Sequence, residues 1–190
     1  MRPNQLLEPD TRRQVATLSP ASTLVVQVEI RHAGAADVLA LLELRNHYVA
    51  NSFATFDEAP HTAEFIGIWV SSFNPEGPYQ LLVAYANGEL LGFCSSQPYR
   101  THPAFRHTIE TSVYVGPGGG GRGVGSALYA HLFRSLQSHR LHRAVVGIAL
   151  PNEASVRLHE KFGYTKVGVF NEYAVKNGQY ISSQWMERAL

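Results

Sequence analysis

The stretch Val113-Tyr-Val-Gly-Pro-Gly-Gly-Gly-Gly-Arg-Gly-Val-Gly-Ser126 decides the fold. It passes from a β-branched and aromatic strand through a run of glycines into a segment with apolar residues at Leu128, Leu132 and Leu136, which predicts a half-buried helix over 125–139. A turn of this build binds anions. Without Cβ atoms the backbone can approach phosphate oxygens, and the unpaired N–H groups of the first helical turn supply donors and a partial positive charge. Arg122 adds a charge-assisted contact, while a flexible loop is the other reading of such a run taken alone. Two nucleotide readings fail. Gly118 to Gly123 match G-x-G-x-x-G trivially, and a dinucleotide site needs an acid about 20 residues on, where Leu141-His-Arg143 stands and the next acid is Glu153. A phosphate loop for nucleotide hydrolysis needs Gly-Lys-[Ser/Thr], and Gly125-Ser126 has no lysine.

Outward from this turn the chain alternates helix and strand. Upstream, Phe105 to Val115, Glu89 to Pro98 and Tyr79 to Tyr85 read as strands, the last two joined at Asn87-Gly88, a dipeptide suited to a tight hairpin. Before them stand helices over Thr62 to Phe73, capped by Thr62, and Ala35 to Asn51, and a first strand over Leu24 to Arg31. Downstream, Arg143 to Leu150 is a strand, Glu153 to Phe162 a helix, and Tyr164 to Phe170 and Gln179 to Glu187 are closing strands. The predicted order is β, α, α, β, β, β, α, β, α, β, β: an α/β fold with a single mixed, mostly antiparallel sheet of about seven strands and about four helices.

With 190 residues, 45% hydrophobic and 16% charged, the chain is sized for one domain with one core. That domain is expected over 24–190, after an extension over 1–23 whose Pro, Asn, Gln, Arg and Ser content reads as mobile. Its 16 basic and 15 acidic residues carry no long runs, so no global field draws nucleic acid or a membrane surface. The single cysteine, Cys94, excludes an internal disulfide and fits a reducing cytoplasm; its setting, Leu-Leu-Gly-Phe-Cys, reads as buried strand. No apolar run reaches the roughly 18 residues that span a bilayer, and nothing between Arg2 and Pro20 resembles a secretory signal. A soluble cytoplasmic protein is expected.

The strand, Arg-Gly-Val-Gly turn and helix, followed by a strand and Asn152-x-x-Ser155-x-x-Leu158-His159-x-x-x-Gly163-Tyr164, resembles the coenzyme A site of the GNAT superfamily of N-acyltransferases. Thr108-Ile-Glu-Thr-Ser-Val-Tyr-Val115, Leu150 to Tyr164 and Asn46-His-Tyr48 are similar to its phosphinothricin acetyltransferase branch. The resemblance covers about Val28 to Glu187, with one departure: Gly120 stands where the superfamily turn usually has Gln or Arg. It implies a sheet splayed between the strand ending at Val115 and the strand Arg143 to Leu150. It also implies acetyl-CoA as co-substrate, with no metal. Val113 and Val115 would offer backbone groups to the pantetheine arm, Gly121, Arg122, Gly123, Val124, Gly125 and Ser126 would bind the pyrophosphate, and Asn152 would contact the arm near the thioester.

Amide formation from a thioester needs a neutral amine, which a carboxylate near the cleft can provide by taking its proton. Glu110 matches the family's base position; read from spacing alone, it is a strand glutamate on a solvated face or paired with an arginine. His159 follows Asn152 by seven residues and Ser155 by four, which places all three on one helix face. There it either transfers protons or orients the amine, the bland alternative being a histidine satisfied by Glu160 or a carbonyl. Substrate contacts are expected from Arg100 and Arg106, whose guanidinium forks suit carboxylate or phosphinate oxygens, with Phe53, Phe56 and Phe105 as walls. The implied activity is N-acetylation of a small amino-acid-like amine of the phosphinothricin, methionine sulfoximine or sulfone type. The rivals are a protein or peptide N-acetyltransferase and a catalytically silent acyl-CoA-binding regulator. A homodimer is implied, joined through the C-terminal segment Tyr180 to Met186.

Overall fold

A computed structural model describes residues 14–17 and 27–190. Eight strands are present: β1 (Gln14–Thr17), β2 (Gln27–His32), β3 (Leu81–Ala86), β4 (Glu89–Pro98), β5 (Thr108–Val115), β6 (Arg143–Ala149), β7 (Thr165–Lys176) and β8 (Gln179–Ala189). Four α-helices accompany them: α1 (Val38–Asn51), α2 (Ala63–Ser71), α3 (Val124–Ser135) and α4 (Glu153–Lys161). The strands form one open sheet in the order β1-β2-β3-β4-β5-β6-β8-β7, antiparallel throughout except where β5 meets β6. All seven expected strands and four helices occur in the expected order. The additional strand β1 forms within the stretch read as an extension; residues 1–13 and 18–23 of that stretch lie outside the described residues. No helix among the described residues is long and apolar enough to cross a membrane.

Local chemistry explains most element ends. Asn87 and Gly88 both adopt positive φ (52° and 82°), the geometry that a two-residue turn between twisted strands requires. Thr62 caps α2 by accepting from the Phe65 N–H at 3.2 Å. Of the boundaries that differ from expectation, two bear on the site. Pro103–Phe105 forms a 3₁₀ turn, so β5 begins at Thr108 and not at Phe105. Strand β7 continues past Phe170 to a second turn at Asn177-Gly178, also at positive φ (48° and 74°). Within β7, Phe170 pairs with Ser183 and Ala174 with Ile181, so Asn171–Tyr173 bulge opposite Ser182 alone.

Alternation along the central strands builds two cores. Leu82, Ala84, Cys94, Ile109, Ala144 and Val146 face α3 and α4, whereas Leu81, Val83 and Phe93 face α1 and α2. Hence Glu110 and Tyr114 leave β5 on the α1/α2 side, while Thr111 and Val113 leave it on the other. Cys94 is fully buried, and burial pushes its thiol far up.

One long-range contact fixes the loop after α1. The Lys176 ammonium, 1% exposed, donates to the carbonyls of Val49, Ser52 and Thr55 at 2.8, 2.7 and 2.9 Å. The loop thereby acquires partners for carbonyls that the helix end leaves open. Burial draws the Lys176 pKa down, with Asp57 and Glu58 acting against it. Replacing Lys176 by Met strands these carbonyls, and it is expected to lower the unfolding free energy in urea by about 2–4 kcal/mol. Lys176→Arg should not restore it, because a planar fork cannot meet three carbonyls converging on one ammonium.

Candidate active site

The site begins where a ladder stops. β5 and β6 pair only at Thr108–Arg143, Ile109–Ala144 and Glu110–Val145; beyond these, β5 follows β4 and β6 follows β8. The Gly116 N–H donates to Leu91 O at 2.8 Å, which sets the parity of β5: Ser112 and Tyr114 direct their backbone groups to β4, Val113 and Val115 direct theirs to the gap. Val115 is already occupied. The Tyr48 hydroxyl donates to its carbonyl at 2.7 Å and accepts from its N–H at 3.3 Å. Val113 is therefore the residue that presents backbone groups to the gap, a correction to the expectation that both valines do so.

The glycine turn closes one end of the gap. Gly121 and Gly123 take positive φ (69° and 79°), which strains any side chain there. A Cβ on Gly119 would meet Leu91 O at 2.7 Å, and one on Gly125 would meet Leu158 Cδ2 at 3.0 Å. Helix geometry leaves the Val124, Gly125 and Ser126 N–H groups without intrahelical acceptors. These residues line a cavity of about 280 Å³ with Tyr48, Val113 and Asn152. A cavity lined by free helix N–H donors and by strand backbone fits a diphosphate followed by an amide-bearing arm. Arg122 does not line it; its guanidinium donates to Gly118 O at 2.8 Å and braces the turn. Lys161 donates to Ser126 Oγ at 3.1 Å, bringing a second cation to this end.

A second cavity of about 240 Å³ shares Ala54, Val113, Tyr114, Asn152 and Ser155 with the first. The two form a channel and a chamber. Glu110 lines the chamber half-buried, with no hydrogen bond or ion pair to its carboxylate among the described residues, and burial raises its pKa. Tyr114 donates to Ala54 O at 3.0 Å; its pKa is pushed up to about 12, mainly by burial.

His159 lines the chamber wall with Asn152 and Ser155, as the helical spacing predicts, yet both its ring nitrogens are engaged. Nδ1 lies 2.7 Å from Ser155 O, which can only accept, so the proton resides on Nδ1. Nε2, at 2.8 Å, then accepts from the Tyr129 hydroxyl, and Thr111 Oγ1 sits 2.6 Å from the Tyr164 hydroxyl beside it. Burial lowers the His159 pKa and keeps the ring neutral, with the bond to Ser155 opposing. Of the two bland partners considered for His159, the carbonyl is the one present. Asn152 caps α4, accepting from the Ser155 N–H at 3.1 Å.

The expected substrate residues divide. Phe56 lines the chamber. Phe105 lines a neighbouring apolar groove with Tyr99, Val167 and Phe170. Arg100 lies exposed over the Tyr99 and Phe105 rings, and Arg106 donates to Pro103 O at 3.2 Å. Neither arginine lines the chamber, because the turn before β5 carries both away from it. Sequence reasoning did not single out Tyr48, Tyr114, Lys176, Ser183 or Trp185; Tyr48 and Tyr114 had a signal, lying in the Asn46-His-Tyr48 and Thr108–Val115 motifs. Among the described residues no group of three or more His, Cys, Asp or Glu side chains is placed to hold a metal.

Comparison with known proteins agrees with this geometry. Residues 41–164 match the acetyltransferase (GNAT) family. The chain is 47% identical over 166 residues to a phosphinothricin N-acetyltransferase of Streptomyces coelicolor, covering 86% of this chain and 97% of that one. It is 32% identical over 161 residues to an L-methionine sulfoximine/L-methionine sulfone acetyltransferase of Salmonella typhimurium, covering 85% and 94%. The structure of a GNAT phosphinothricin acetyltransferase from Sinorhizobium meliloti in complex with acetyl-CoA superposes with a TM-score of 0.81 at 26% identity, covering 86% and 88%. A sheet parted between β5 and β6, a glycine turn feeding α3 and these relatives together make the chain a member of the GNAT acetyltransferase family.

Proposed function

We propose that the protein moves an acetyl group from acetyl-CoA to the amino group of a small amino-acid-like acceptor, with Glu110 as the base. The observation that carries this reading is the unpaired, half-buried Glu110 carboxylate in the chamber that adjoins the channel at the glycine turn. When bound, acetyl-CoA supplies the acyl group as a thioester. Glu110 takes a proton from the amine, directly or through one water, so that nitrogen can attack the carbonyl carbon. The C–N bond forms as the C–S bond breaks; of the two protons that the ammonium gives up, the first goes to Glu110 and on to solvent, and the second, lost by the nitrogen as the amide forms, goes to the departing thiolate. Val113 aligns the arm, and the first turn of α3 with Gly121 and Gly123 receives the diphosphate. His159, with no free N–H, positions Tyr129 and the first turn of α4 and is not the acid.

The buried thiol of Cys94 supports a cytoplasmic setting. A homodimer through the β7–β8 hairpin is supported by the exposed apolar side chains Val167, Phe170, Tyr173, Val175 and Tyr180 on it. Within Tyr180 to Met186 the exposed apolar side chain is that of Tyr180, while Ile181, Ser183 and Met186 are buried. Light scattering at micromolar concentration is expected to give the mass of two chains; a monomer mass removes this assembly.

Glu110→Gln keeps shape and hydrogen-bonding reach, and it should reduce turnover by on the order of 10²-fold while coenzyme binding persists. Because burial raises the Glu110 pKa, wild-type kcat/KM should fall as pH drops through a value above that of an ordinary glutamate. The variant should lack that limb and recover partly at high pH, where more amine is neutral. Near-normal turnover of Glu110→Gln with saturating substrates at neutral pH would exclude it as the base.

Acetyl-CoA should raise the melting temperature by binding only the folded state. Gly123→Asp, which places a carboxylate and a strained φ of 79° at the diphosphate, should abolish that shift. Gly120→Arg should preserve or enlarge it: φ there is −59°, and the nearest atom to an added Cβ is Pro117 O at 4.0 Å.

A further inference from the structure

Two polar side chains of β8 enter the chamber without partners. Ser183 and Trp185 are separated by one residue, so both leave the same face of the strand, opposite Ala149 and Gly147 of β6. A Cβ on Gly147 would meet Trp185 Cζ2 at 3.1 Å and Cε2 at 3.2 Å, so the missing side chain lets the indole lie across β6 with its N–H edge fixed. Ser183 is 1% exposed, and neither Ser183 Oγ nor Trp185 Nε1, both buried, has a hydrogen-bond partner among the described residues. Adjacent Ser182 behaves differently: its hydroxyl accepts from the Glu172 N–H at 3.0 Å. Orphaned buried donors are destabilising and are retained where a ligand completes them.

The charge around these donors selects the ligand. Among the described residues lining the chamber there is no lysine or arginine, and Glu110 contributes a carboxylate. An anionic group there meets like charge without compensation, whereas an uncharged, strongly dipolar oxygen needs only donors. We propose that Ser183 Oγ–H and Trp185 Nε1–H form a subsite for uncharged side-chain oxygens of the acceptor, of the sulfone or sulfoximine class, an assignment that rests on the acetyl-transfer reading. A sulfone carries two oxygens on one sulfur and can meet both donors, while the corresponding thioether meets neither.

The test compares methionine sulfone with methionine in the wild type, Ser183→Ala and Trp185→Phe, by thiol release and by calorimetric binding of methionine sulfone to the CoA-saturated protein. The wild type is expected to favour the sulfone in kcat/KM by about 10-fold or more, and each variant to lose about 10-fold for the sulfone, through KM, against a smaller loss for methionine. Ser183→Ala should melt no lower than the wild type, because it deletes an unpaired hydroxyl, which separates this role from a structural one. Variants that retain the wild-type preference, or tighter wild-type binding of a phosphinate than of the sulfone, overturn the subsite. If neither amine is acetylated, the acetyl-transfer reading falls, and calorimetry still decides the subsite: sulfone binding weakened by Ser183→Ala upholds it, and equal or absent binding ends it.

Discussion

Three parallel residue pairs between β5 and β6 join the two halves of the sheet, and the site exists because there are only three. Each strand has a longer commitment on its other side, β5 to β4 over seven pairs and β6 to β8 over seven. A strand edge released from its neighbour still carries N–H and C=O groups that need partners. At Val115 a tyrosine from α1 supplies them, while at Val113 they remain for a ligand. The opening thus has a closed end, at Glu110, and a working edge of one or two residues. Ile109 and Ala144, both fully buried against the α3 side, pin the closed end so that the gap does not run further.

Features set by neighbouring residues were legible before any coordinates. The glycine turn, the Thr62 cap and the Asn87-Gly88 hairpin each express local backbone preferences, and all three occur. Asn177-Gly178 offered the same hairpin signal as Asn87-Gly88. It was obscured because the bulge at Asn171–Tyr173 breaks the alternation of β7, so the strand appears to end at Phe170. The arginines lie outside the chamber for a local reason. His102 caps a short turn through its ring nitrogen on the Ala104 N–H, and the alternation of β5 starts only after it.

Other parts of the site have no local signature. His159 was recognisable as a site residue, but whether it could give up a proton depended on Tyr129, thirty positions earlier on another helix, which fills the nitrogen that would act. The pair Ser183 and Trp185 reads in sequence as part of an ordinary closing strand. Only the bulge opposite Ser182 and the glycine at 147 reveal that their polar atoms are held without partners. In each case the chemistry follows from the filling of lone pairs and donors across the fold, which no short window of sequence records.

The bond between Lys176 and the loop after α1 has a consequence for the order in which the molecule matures. Its three hydrogen bonds join residues 127, 124 and 121 positions apart. A ribosome delivers α1 and the loop bearing Ala54 and Phe56 first, and the lysine that locks them only after more than a hundred further residues. Contacts of such sequence separation form late, after most of the chain entropy has been removed. The wall of the chamber is accordingly completed by the β7–β8 hairpin, whose residues lie far along the chain from the loop that they hold.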